Sequence, residues 1–132
     1  MNFLKSVLVL IVIVFNSKVL AETKSVDFVE PKNGEVLVSP FKVKFAVEGM
    51  EVLPAGNKVL NSGHHHLIIN AEDIVEGQVI PADEQHLHFG KGQKEVELAL
   101  PPGHYKLTLQ FADGQHKSYG QQMSKTIEIT VK

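Results

Sequence analysis

Seven histidines are the residues of this sequence best suited to chemistry, and three of them are consecutive. His64, His65 and His66 open an apolar, β-branched run. Because a strand points alternate side chains to opposite faces, His64 and His66 would share one face, with His65 on the other beside Leu67 and Ile69. We therefore expect His65 to be a hydrogen-bonded core residue and the other two to be available for binding.

A second histidine pair, His86 and His88, is also spaced to share one face of a strand. Opposed residues of adjacent strands have β-carbons about 4.5–5.5 Å apart, so two such pairs can converge on one ion. Nitrogen ligands suit copper or zinc better than calcium or magnesium. The sequence therefore predicts a copper or zinc site whose ligands are His64, His66, His86 and His88, with His104 as a fifth candidate.

The two remaining histidines are less well defined by their surroundings. Either His104 or His116 can complete the set, although His116 follows Asp113-Gly114 and is expected to be a turn residue. Other interpretations stay open: histidines that hold loops together in an interaction domain, a pH sensor, or a small metal-dependent hydrolase or oxidase. A non-enzymatic metal-binding module is the preferred prediction.

The first 21 residues have the features of a secretory signal peptide. A short positive start, 1–5, precedes nine apolar residues, 7–15, and Val19-Leu20-Ala21 provides small residues for cleavage. The apolar run is shorter than the about 20 residues that span a membrane. We expect export to the periplasm or beyond, residues 22–132 to form one domain, and no membrane span after cleavage.

The composition excludes several classes of function. All basic residues are lysine, and the chain carries a net charge of −2, so the basic, arginine-rich surface of a nucleic-acid-binding protein is absent. The chain has no cysteine, which excludes disulfides, thiolate metal sites and a cysteine nucleophile. The composition leaves two binding partners open: a metal ion and a periplasmic protein.

Short alternating segments separated by turn residues predict an all-β domain. No stretch has sustained helical periodicity, and the pattern suggests an immunoglobulin-like antiparallel β-sandwich of seven or eight strands. In strand 105–111 the odd-numbered residues are expected to face inward and the even-numbered ones outward. The expected strands are 25–30, 35–38, 41–48, 63–70, 86–89, 94–100, 105–111 and 126–131.

Several of these segments together resemble a bacterial exported family described as a domain of unknown function. The resemblance covers most of the chain from about residue 31 onward and implies export, but it brings no established activity. The segments are Pro54-Ala55-Gly56, Gly63-His64-His65-His66-Leu67, His86-Leu87-His88-Phe89-Gly90-Lys91-Gly92-Gln93, Leu100-Pro101-Pro102-Gly103 and Phe111-Ala112-Asp113 followed by His116.

Overall fold

The structure is a computed structural model that describes residues 11–18 and 22–132. Residues 1–10 and 19–21 of the predicted signal peptide, including its cleavage site, lie outside the described residues. Within the described ranges, no helix is both long and apolar enough to cross a membrane.

The described chain is almost entirely β-structure, as predicted, and its strands form two sheets. A three-stranded sheet has the order β1-β3-β7, and a six-stranded sheet has the order β2-β9-β8-β5-β4, with β6 also paired to β5. The strands are β1 (Ser25–Glu30), β2 (Val36–Leu37), β3 (Phe41–Glu48), β4 (Glu51–Val52), β5 (Ser62–Ile69), β6 (His86–His88), β7 (Glu95–Leu98), β8 (Gly103–Ala112) and β9 (Ser124–Val131).

The predicted antiparallel arrangement needs one correction. Strands β2 and β4 pair in parallel with β9 and β5, so the larger sheet is mixed. The sequence pattern missed β4 because Glu51–Val52 is too short to show alternation and lies among turn-forming residues. A short 3-10 helix, Gln121–Met123, leads into β9.

One hydrophobic core joins the two sheets. Alternating side chains of β1, β3, β5, β8 and β9 point into it, which is what a half-buried strand requires. This burial, at roughly 25 cal/mol per Å² of apolar surface, is the main source of stability in a chain without disulfides. The fully or nearly fully buried members include Phe28, Val43, Phe45, Leu67, Leu107, Leu109, Phe111, Ile127 and Ile129.

Part of the other face of the six-stranded sheet, along β5 and the end of β8, is also buried, which the alternation did not predict. Thr108 and Gln110 were expected to face outward, and they do lie on the outer face, but both are 0% exposed. The loop of residues 70–85, which we call the covering loop, reaches Gln110 through Ile74, and the Thr108 hydroxyl is bonded to that of Thr126 on β9. The Gln110 side chain accepts a hydrogen bond from Ile74 N and donates one to Gly120 O, so it fastens the loop to the sheet.

Candidate metal centre

Strand β5 holds two histidines of the candidate centre on the covered outer face. Every residue of β5 is buried, including His64 at 0% and His66 at 1% exposure. Gly63 permits this packing, since a β-carbon there would lie 2.1 Å from the Ala112 carbonyl oxygen of β8. The expected facing of His64 and His66 is therefore confirmed.

Strand β6 brings the third histidine alongside. His88 is paired directly with His66 in the antiparallel β5–β6 register. Its Nε2 lies 3.1 Å from Nε2 of His64, and its ring centroid is 5.1 Å from that of His66. The convergence of these three residues was predicted from their spacing, and the structure shows it.

The fourth member, His116, comes from a tight turn after β8. It has a left-handed backbone with φ of 66°, and its N–H donates to the Asp113 carbonyl at 3.0 Å. The Asp113 carboxylate accepts hydrogen bonds from Gln115 N and Lys117 N, which closes the turn. The His116 Nε2 then lies 2.9 Å from that of His88. His116 is thus a turn residue, as expected, and also a member of the group.

These four histidines form the histidine cluster: His64, His66, His88 and His116. One candidate ligand atom from each lies within 4.8 Å of the other three. Tetrahedral bonds of about 2.0–2.1 Å would place ligand nitrogens roughly 3.3 Å apart, and square-planar bonds would place neighbouring nitrogens roughly 2.9 Å apart. Two of the nitrogen–nitrogen separations, 2.9 and 3.1 Å, lie in this range.

Burial favours the neutral, metal-binding form of His64, His66 and His88. Desolvation, followed by repulsion from neighbouring histidinium charges, lowers the pKa of His64 to about 4 and that of His66 to about 3. Two weaker effects raise these pKa values: the negative charge of Asp113 acts on His64, and a hydrogen bond with the His64 backbone acts on His66. The pKa of His88 is lowered by the same two causes. Near pH 7 the buried rings therefore have a free lone pair.

The other two predicted ligands, His86 and His104, are not brought into the cluster. His86 donates from Nδ1 to Asp83 Oδ1 at 2.6 Å, and this bond lowers the Asp83 pKa. His104 lies beside Thr130, with Nδ1 and Oγ1 2.9 Å apart. It lies eight residues along β8 from Ala112, the partner of His64, which is roughly 26 Å at about 3.3 Å per residue.

His65 faces the core, as expected, but it is not hydrogen-bonded. Its ring lies 5.0 Å from those of Phe45 and Phe111, and neither ring nitrogen has a partner. Burial, with smaller contributions from His64 and Lys94, lowers its pKa to about 4. The prediction of a satisfied core histidine is therefore half correct, because alternation gives the facing of a side chain but not its partners.

His116 is the member that the sequence could only leave undecided. The signal was present in Asp113-Gly114, since a turn after β8 returns the chain toward the His-rich strand. The path of this turn depends on a close contact of Gly114 with the loop that contains Asn57: a β-carbon on Gly114 would lie 1.8 Å from the Asn57 carbonyl oxygen. Such a close approach depends on tertiary packing, which strand periodicity does not contain.

Comparisons with known proteins agree with the β-fold and with the sequence resemblance. A solved structure, an endo-beta-1,4-mannanase from Thermotoga petrophila, is similar at a TM-score of 0.54 and 13% identity. The match covers 89% of this chain but only 22% of that chain, and it indicates the fold alone. Comparison with curated proteins gives no match. A family model matches residues 43–132, so the chain belongs to the family described as domain of unknown function DUF4399.

Proposed function

We propose that this protein is a non-enzymatic, exported metal-binding module that holds one copper or zinc ion in the histidine cluster. The observation that carries the proposal is the convergence of four imidazoles within 4.8 Å. The ligand set differs from the sequence prediction: His116 replaces His86 and His104. We also propose that the frame is an immunoglobulin-like sandwich, because residues of both sheets share one core.

The contacts of His88 favour an ion over hydrogen bonds alone. An imidazole nitrogen has either one proton or one lone pair, so it forms a single good hydrogen bond. Yet His88 Nε2 has two nitrogen neighbours, His64 Nε2 at 3.1 Å and His116 Nε2 at 2.9 Å. A cation between the three nitrogens can accept a lone pair from each of them at once. It therefore accounts for their close approach better than hydrogen bonds do.

The proposal of export depends on the signal-like segment 1–21 and on the absence of cysteine from the sequence. An all-histidine site suits an exported protein, since it needs no thiol that an oxidising compartment would convert to a disulfide. Copper and zinc both accept imidazole, and the ligand chemistry does not separate them.

Metal analysis of the purified protein tests the proposal. We expect about one copper or zinc ion per chain after loading and removal of excess metal. His66→Ala and His88→Ala should each retain less metal than the wild type, and His104→Ala is the matched control that should retain as much. Should the wild type bind no metal while remaining folded, the competing explanation is correct: the histidines only hold β5, β6 and the His116 turn together.

A further inference from the structure

The ligands of the histidine cluster divide into a buried pair and an accessible pair. His64 and His66 are 0% and 1% exposed, at the floor formed by β5. His88 is exposed and His116 is partly exposed. We call these last two residues the mouth of the site. An ion in the cluster would therefore have one side against the sheet and one side that another molecule can reach.

One of the buried ligands, His64, lacks the supporting hydrogen bond usual for permanently bound metals. A ligating histidine normally donates its second ring N–H to a carboxylate or carbonyl, and loss of such a partner costs about 10–100-fold in affinity. His64 directs Nε2 at His88, and its Nδ1 is buried without a partner. His64 thus lacks the supporting bond that the ligands of a closed structural site have.

The four ligands also differ in how firmly the fold holds them. Three are on paired strands, whereas His116 lies on the turn that follows β8. Outside this turn, the His116 backbone is bonded through Ile80 N, which donates to its carbonyl at 2.9 Å from the covering loop. The His116 ring is therefore the ligand that can leave with the least disturbance of the sheets.

We propose that the site is built for delivery: the ion passes to an acceptor by stepwise ligand replacement at the mouth. A ligand of the acceptor, another metal-binding protein, bonds the ion as the bond to His116 breaks. The bond to His88 is replaced next, and the floor pair releases last. Each step exchanges one metal–ligand bond for another, so the oxidation state of the metal does not change. This inference rests on the proposed metal-binding function.

Stopped-flow release of zinc from the loaded full-length protein into excess EDTA tests the mechanism. If EDTA attacks at the mouth, the release rate should rise in proportion to the EDTA concentration. His116→Ala should still bind zinc but release it at least tenfold faster, because the mouth is already open. The His104→Ala control, on the same sheet but outside the cluster, should behave as wild type.

The outcomes separate this inference from the proposed function. The zinc content of the loaded protein is measured first, and absence of zinc overturns both. If zinc is bound but its release rate is independent of EDTA concentration, the ion leaves before any acceptor binds, and replacement at the mouth is wrong. Delivery is also overturned if His116→Ala releases zinc no faster than wild type, since His116 would then not be the first ligand to leave.

Discussion

Gly90 offers a way to disturb the centre without changing any ligand. A β-carbon at this position would lie 2.2 Å from Cε1 and 2.6 Å from Nε2 of His88. Carbon atoms in contact are normally about 3.5–4.0 Å apart, so in Gly90→Ala the imidazole must move by about 1 Å or more. Metal–ligand distances tolerate only about 0.2 Å. We therefore expect the variant to lose His88 as a ligand.

The loss of an outer-shell partner alone costs about 10–100-fold in affinity, so we expect Gly90→Ala, which displaces a ligand, to lose at least this much, equivalent to at least about 1.4–2.7 kcal/mol. Competition against a chelator of known affinity measures it, and urea unfolding of the metal-free protein checks that the fold is intact. Lys91→Ala, at the exposed neighbouring position, is the matched control and should bind as wild type.

A double-mutant cycle makes the test specific to His88. Once His88 is replaced by alanine, the ring that Gly90→Ala displaces is gone, so adding Gly90→Ala should cost little further affinity. The reasoning is refuted if Gly90→Ala binds metal as tightly as wild type. It is also refuted if Gly90→Ala weakens binding equally with and without His88, because the effect would then act elsewhere.

Three further predictions follow from the buried histidines. The metal-free protein should lose about 2 kcal/mol of stability for each of His64 and His66 as the pH falls from 7 to 5. The reason is that folding lowers their pKa values from 6.5 to about 4 and about 3, so the unfolded chain binds more protons than the folded one in that range. Urea unfolding at a series of pH values measures this loss, and a flat profile would contradict it. His65→Leu should raise stability by about 1–3 kcal/mol, because it removes a buried ring whose nitrogens have no partner, and it should leave the metal stoichiometry unchanged. Thermal unfolding measures the stability and metal analysis of the same sample measures the stoichiometry. Loss of the metal would show that His65 contributes to the site. Metal at 100 times its Kd should stabilise the wild type by about 2.7 kcal/mol in the same unfolding assay, and no stabilisation would mean that the folded state binds no better than the unfolded one.

Period-two alternation in the sequence was enough to predict the longer strands, though not β4, and the facing of the β5 histidines. His64 and His66 alternate with the apolar Leu67 and Ile69, so the burial of the apolar face determines where the imidazoles point. The sequence indicated that the imidazoles could meet if the two histidine strands paired, and the structure pairs His66 with His88. The all-β class follows from the same pattern.

Features that depend on loops could not be predicted in this way. Gln110 is buried where the covering loop meets the sheet, and the hydrogen bond between them has no periodic signature in the sequence. The position of His116 depends on the left-handed turn residue and on the contact of Gly114 with Asn57. His86 and His104 had suitable residue types, but local partners and distance along β8 keep them out of the cluster.

The coordination of an ion by His64, His66, His88 and His116 is the central claim, and a crystal structure of the metal-loaded protein tests it most directly. Anomalous scattering collected at the copper or zinc absorption edge would locate the ion without reference to the protein atoms. We predict one strong peak per chain, with four imidazole nitrogens at about 2.0–2.1 Å. A peak bound instead by His86 or His104, or no peak in a fully loaded crystal, would contradict the account.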